Sequence, residues 1–193
     1  MSSQNFNPSG NVGVQLAEQT ALELFQWASL LTGEQKVAME QVEQMIGSME
    51  VDPCTILPGD EKKAYSRLIE QVLVWMVAHH PDAFRVGPYT VPVDSCIETD
   101  DLASSGISTQ RLEELLNEPH RKQLRAWLDQ LPVVERTVFV ERVVFGLDSL
   151  TTAGHLAKAS NEPWTPEAAS VCFRSALCSL ANQLAHLVPP GNE

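Results

Sequence analysis

Three stretches in the N-terminal half carry apolar residues at intervals of three and four, the spacing of one face of an α-helix. They cover about residues 15–31, 34–49 and 60–80. Only Thr32-Gly33 separates the first two, which are therefore predicted to pack as an antiparallel hairpin, and Pro81 ends the third. The apolar stripes consist of Leu22, Phe25, Ala28 and Leu31, of Ala38, Val42, Met45, Ile46 and Met49, and of Ala64, Leu68, Val72, Trp75 and Met76.

Residues 82–107 break this pattern. They combine prolines, glycines and five acidic residues with no sustained apolar period. Proline and glycine interrupt regular structure, and the acidic side chains favour contact with water. An acidic linker is predicted here, and the Gly, Asn, Ser and Pro of residues 1–12 predict a disordered tail.

The helical period returns after the linker in a series of short helices near residues 108–116, 120–131, 132–146 and 149–159, and in a longer one from Pro166 to before Pro189. Asp148 and Thr165 are predicted N-caps, and Gly146 ends one of the helices. Short helices followed by a longer one are typical of a helix-turn-helix. The chain is thus predicted to be all-α, with two small helical domains, 13–81 and 108–193, joined by the acidic linker. The predicted core stripe of the last helix is Phe173, Leu177, Leu180, Leu184 and Leu187.

Charge narrows the functions that this fold could serve. The formal net charge is −12, from 25 acidic and 13 basic residues, and half of it falls within residues 90–118. Binding to nucleic acid draws mainly on Lys and Arg, so this balance counts against a strong non-specific DNA binder. The four cysteines form no CxxC pair, and no apolar run approaches the ~20 residues of a membrane span. A cytoplasmic protein with reduced thiols and no membrane contact is predicted.

Residues 131–148 carry a family resemblance. Leu-Pro-Val-Val-Glu-Arg-Thr-Val-Phe at 131–139, followed by Gly146-Leu147-Asp148, resembles the LPxxxRxVFxLRxxxGLS opening of the promoter-recognition domain in extracytoplasmic-function sigma factors. The segment 165–184 is similar to the recognition helix of that domain. Ala153, Leu156 and Ala157 match its first helix-turn-helix helix, and Ala176, Leu177, Leu180 and Leu184 match the recognition helix.

The N-terminal half resembles the same family. Leu-Leu-Thr-Gly-Glu at 30–34 is similar to the turn between the first two helices of the family's core-binding domain, and 38–44 to the stretch that meets the polymerase clamp. The resemblance implies a transcription initiation protein whose partners are RNA polymerase core, promoter DNA and an anti-sigma-like regulator. It implies polymerase binding by Glu40, Gln41, Glu43 and Gln44, and DNA binding by Thr165, Ser170, Arg174, Arg136 and Arg142.

The sequence departs from the family pattern at the positions that would contact DNA, and these departures support an alternative function. Positions that are basic in the family's recognition helix are Ser170, Cys172, Ser175, Cys178, Ser179 and Ala181 here. The turn before this helix is also about six residues longer than usual. A degenerate sigma-like protein that acts only through protein–protein contacts fits this loss of charge. A second interpretation places Arg136 and Arg142 on a solvated surface, where the adjacent Glu135 and Glu141 balance their charge.

An enzyme is not predicted, because no phosphate-binding loop, nucleophile elbow or HExxH motif occurs. His79-His80 could suggest a metal site, but adjacent residues of a helix point apart, and histidine is common at a helix C-terminus. Neither a metal nor a cofactor is predicted. Trp75 lies in the apolar stripe of the third helix, so a core position is predicted for it rather than a role as a stacking platform for a base.

Overall fold

The computed structural model describes residues 8–48, 61–87 and 121–187, and these residues are all-helical, as predicted. They form seven α-helices, one 3-10 helix and one π-helical turn. The α-helices are α1 (Pro8–Thr32), α2 (Gln35–Gly47), α3 (Glu61–His79), α4 (Arg121–Gln130), α5 (Val133–Phe139), α6 (Ser149–Ser160) and α7 (Pro166–Leu187). The predicted helix at 108–116 lies outside the described residues.

The chain divides into two compact units, Met1–Trp75 and Met76–Glu193. In the first unit α1 and α2 pack against each other across a tight turn. Thr32 closes the turn, because its hydroxyl donates to the carbonyl of Ala28 at 2.9 Å and accepts from the N–H of Glu34 at 3.2 Å. Gly33 has a φ of 78°, which glycine adopts without strain.

The apolar stripe of α1 is rotated from its predicted position. Leu24, Ala28 and Leu31 are fully buried, whereas Leu22 is 55% exposed. The helix also begins at Pro8, inside the stretch predicted as a disordered tail, and proline is compatible with a first helical turn. From α2 and α3 the buried residues are Val37, Ala38, Val42, Met45, Ala64, Leu68, Ile69, Val72 and Leu73.

Polar contacts join α3 to α1 and α2. The Tyr65 hydroxyl donates to Glu23 Oε2 at 2.6 Å, and the Tyr65 ring meets Trp27 edge-on at 6.4 Å between centroids. Gln71 Nε2 donates to the Gln41 carbonyl at 3.0 Å. These contacts set the register of the three helices around their apolar core.

In the second unit the helix predicted over 132–146 is interrupted. After α5, Val140–Val144 forms a π-helical turn, and the N–H of Leu147 donates to the Glu141 carbonyl at 3.0 Å. Gly146, with a φ of 66°, then ends the helix as predicted. A π-helical turn admits one extra residue per turn, a change of helical phase that apolar periodicity does not reveal.

The two predicted N-caps of the second unit are confirmed. Asp148 Oδ1 accepts from the N–H of Thr151 at 2.7 Å, and Thr165 Oγ1 accepts from the N–H of Ala168 at 3.2 Å. Each satisfies a backbone donor that the first turn of a helix leaves open. Pro166 occupies the first position of α7, as predicted.

Residues Pro81–Phe84, at the start of the predicted linker, form a 3-10 helix that packs against α5 and α6. Phe84 is fully buried, and its carbonyl accepts from Trp164 Nε1 at 3.0 Å. The segment therefore belongs to the core of the second unit. Residues 88–107 of the predicted linker lie outside the described residues.

Replacing Phe84 tests this assignment. Because Phe84 is fully buried, Phe84→Ala is expected to lower the free energy of unfolding by about 3–5 kcal/mol in denaturant titrations of the full chain. Phe84→Leu, which leaves a smaller cavity, should lose less. A loss below about 0.5 kcal/mol for Phe84→Ala, the size of an ordinary surface substitution, would show that this segment lies outside the core.

Candidate functional site

The second unit contains two helices in helix-turn-helix order, α6 and α7, joined by residues 161–165. Asn161 ends α6 in the left-handed conformation, with a φ of 57°, and its N–H donates to the Ala157 carbonyl. Trp164 is 6% exposed, and its indole is held by the Phe84 carbonyl. The long turn is thus anchored in the core immediately before the Thr165 cap, which fixes where α7 begins.

Three serines of α7 bind other helices of the unit. The Ser170 hydroxyl lies 2.9 Å from that of Ser149 at the start of α6. Ser175 Oγ donates to Glu135 Oε1 of α5 at 3.1 Å, and Ser179 Oγ accepts from Trp127 Nε1 of α4 at 3.1 Å. These three serines are therefore used for packing within the unit.

The predicted DNA-binding arginines are covered to different degrees. Arg136 is only 7% exposed, so its burial counts against a phosphate contact. Arg142 lies over the Phe173 ring at 4.7 Å and donates to Ser149 Oγ. Arg174 is half-buried, and its Nε is covered without a hydrogen-bond partner.

The predicted DNA-binding residues fall into two places. The structure brings Arg142 and Ser170 together through Ser149. Thr165 is exposed at the start of α7, where it caps the helix. The outward side of α7 between 168 and 181 is only half-exposed and carries one basic residue, Arg174.

The predicted polymerase-binding residues lie on α2. Glu40, Glu43 and Gln44 are exposed and share one helical face, and Glu40 lies 3.9 Å from Lys36. Gln41 is 5% exposed, and its backbone and side-chain oxygens accept from Gln71. We call Glu40, Glu43 and Gln44 the α2 outer face; Gln41 instead holds α3 in place.

Glu141, predicted to be a surface partner of Arg142, instead belongs to a buried polar cluster that the sequence pattern does not reveal. Glu141 is fully buried in the π-helical turn, and its Oε2 lies 3.4 Å from His155 Nδ1 of α6. Thr152, one turn before His155, is also fully buried. The available signal was an acidic residue within the apolar run Val138–Val144.

Burial and hydrogen bonding shift the pKa values of four carboxyls. Burial raises the pKa of Glu141, an effect that His155 and Thr152 partly oppose. Burial also raises the pKa of Glu135, while the Ser175 hydroxyl lowers it. Hydrogen bonds from Thr151 hold the pKa of Asp148 below its usual range, and bonds from its own backbone N–H and from Thr165 do so for Glu167.

Within the described ranges, no three His, Cys, Asp or Glu residues lie close enough together to hold a metal ion. None of the helices in these ranges is long and apolar enough to cross a membrane.

Comparison with known proteins adds no relative to this picture. No protein-family model matches the chain, and no curated protein or solved structure matches it either.

The Ser175–Glu135 contact has a measurable consequence. Because the Ser175 hydroxyl lowers the pKa of Glu135, Ser175→Ala is expected to raise that pKa further. Carboxyl carbon chemical shifts followed against pH would report it. Ser175→Thr keeps the hydroxyl and should stay closer to the original protein, whereas an unchanged titration of Glu135 in Ser175→Ala would contradict the contact.

Proposed function

We propose that the chain is a sigma-factor-like transcription initiation protein that binds bacterial RNA polymerase core and approaches promoter DNA with α7. The observation that carries the proposal is the helix-turn-helix of α6 and α7, capped at Asp148 and Thr165 as its sequence predicts. The proposal includes two helical lobes joined by the acidic linker, a cytoplasmic location and control by an anti-sigma-like regulator.

The α2 outer face is the proposed polymerase-binding surface. Its side chains are exposed, and the helix beneath them is fixed by the buried Val37, Ala38 and Val42 on the opposite side. Exposed carboxylates on a rigid helix suit a basic partner surface, since complementary charges speed association and set orientation. Gln41 supports this surface from inside through its contact with Gln71.

The proposed DNA contact rests on few groups. Thr165 is exposed, Arg174 is half-buried, and the linked Arg142 and Ser170 lie near the start of α6 and α7. When helix N-termini and hydroxyl groups contact phosphates, they fix the position of a protein on DNA without reading its sequence. With so few basic residues, the affinity of the protein for DNA is expected to be low and to depend on polymerase holding the protein in place.

A second candidate is a degenerate sigma-like protein that binds polymerase or a regulator without recognising a promoter. The specific observation in its favour is that α7 directs Ser170, Ser175 and Ser179 to neighbouring helices. Arg136 is buried as well. Because α7 contacts α4, α5 and α6, little of its surface remains free to enter the major groove of DNA.

Reversing charge on the α2 outer face tests the polymerase interaction. Co-elution of the full chain with core polymerase is expected, and Glu40→Lys combined with Glu43→Lys should weaken it by about tenfold or more at low salt. Glu18→Lys, an exposed charge reversal on α1, is the control and should bind like the original. No co-elution of the original chain would remove both candidate functions.

Run-off transcription with the reconstituted complex separates the two candidates. Specific initiation supports promoter recognition, and then Arg174→Ala should weaken DNA binding and reduce its salt slope by about 1. Arg85→Ala removes an exposed charge that pairs with Asp82 outside the helix-turn-helix, and should leave the slope unchanged. Polymerase binding without initiation at low salt would establish the second candidate.

A further inference from the structure

The buried cluster of Glu141, Thr152 and His155 joins two elements of the second unit. Glu141 belongs to the π-helical turn Val140–Val144, while Thr152 and His155 lie on α6. The carboxylate is fully buried, and the imidazole side chain is 17% exposed. The π-helical turn and the first helix of the helix-turn-helix therefore meet through an ionisable pair inside the core.

The groups that oppose the effect of burial on this carboxyl are His155 and Thr152. On the neighbouring elements, Glu135 is bound by Ser175, Arg142 lies over Phe173 and beside Ser149, and Lys158 is exposed. Arg136 of α5 is buried, and Arg174 of α7 is half-buried. The charge state of the cluster is thus set by the carboxyl and the imidazole together.

One shared proton leaves this pair without net charge. The proton can reside on the carboxyl, which then donates towards the imidazole, or on the imidazole, which then pairs with the carboxylate. Release of the proton to solvent leaves a carboxylate and a neutral imidazole, hence one uncompensated negative charge at a fully buried position. Such a charge is costly in the core and favours structures in which it reaches water.

We propose that Glu141, His155 and Thr152 form a proton-dependent latch, closed by one shared proton, which releases α6 from the π-helical turn when that proton is lost. Opening would expose Glu141 to solvent and separate α6 from its attachment to α5. The latch does not require the proposed transcription function, because it concerns the stability of α6 alone.

The sign of the pH dependence follows from the number of protons held in each state. In the unfolded chain Glu141 loses its proton near its ordinary pKa of 4.5 and His155 near a pKa of about 6.5, whereas burial raises the pKa of Glu141 in the folded state. The latch therefore requires the folded pair to keep its shared proton above about pH 6.5, where the unfolded chain has lost both protons. The stability contributed by this proton is present at low pH and is lost as pH rises through the folded-state pKa. Opening of α6 therefore increases with pH.

Amide hydrogen exchange of the full chain measures this opening residue by residue. From about pH 6.5 to 8.5, after correction for intrinsic exchange, the opening constant of α6 amides is expected to rise by up to about tenfold per pH unit, the limit for one proton. Glu141→Gln keeps the side-chain shape without the ionisable carboxyl, and its opening constant should not rise. Glu167→Gln, an exposed carboxyl on α7, is the matched control and should behave like the original.

A second variant examines the sharing of the proton. His155→Gln removes one of its two sites, so the rise in α6 opening should begin at lower pH than in the original protein. An unchanged or higher onset would overturn the shared-proton latch, as would α6 opening that does not depend on pH. The same conclusion would follow if Glu141→Gln kept the full pH dependence. If Glu141→Gln fails to fold, His155→Gln and the original chain still decide the question.

Discussion

The second unit depends on the burial of Phe173 at the centre of α7. Its ring lies 6.3 Å from that of Phe139, which meets Trp127 edge-on at 4.9 Å, and the Arg142 guanidinium lies over the Phe173 ring at 4.7 Å. These aromatic and cation–π contacts connect α4, α5, the π-helical turn and α7. Because Phe173 must face inward, the helical period decides which α7 residues can face outward, and between residues 168 and 181 the basic residue among them is Arg174.

The same geometry explains why α7 carries small hydroxyl side chains where it meets its neighbours. Ser170, Ser175 and Ser179 bind α6, α5 and α4 respectively, so small hydroxyl side chains improve the fit of α7 against its neighbours. A lysine at these half-buried places would leave its charge incompletely solvated. The serines at these positions and the close packing of α7 therefore have one physical cause.

Trp164 and Phe84 join the helix-turn-helix to the segment after α3. The indole donor satisfies a backbone carbonyl in the core, and the residue after it caps α7. A turn longer than that of a standard helix-turn-helix thereby acquires a fixed conformation. The Glu141 cluster places an ionisable pair between the π-helical turn and α6. Two unlike interactions therefore hold α6: a buried indole contact just beyond its C-terminus and an ionisable pair at its middle.

Local sequence signals alone determined the helical class, most helix ends and the caps. The apolar period and the residues that begin or end helices act within one or two turns of the chain; these residues are Pro166, Gly146, Asp148 and Thr165. They also placed Ala38, Val42 and Met45 in the core and Glu40 and Glu43 on the surface. Tertiary structure decided the rest. The burial of Phe84, Arg136, Gln41 and Glu141 depends on partners distant in sequence, such as Trp164 and His155, and the phase change of a π-helical turn cannot be seen in a pattern that assumes one period. Which helical face becomes interior is a property of the neighbours that cover it.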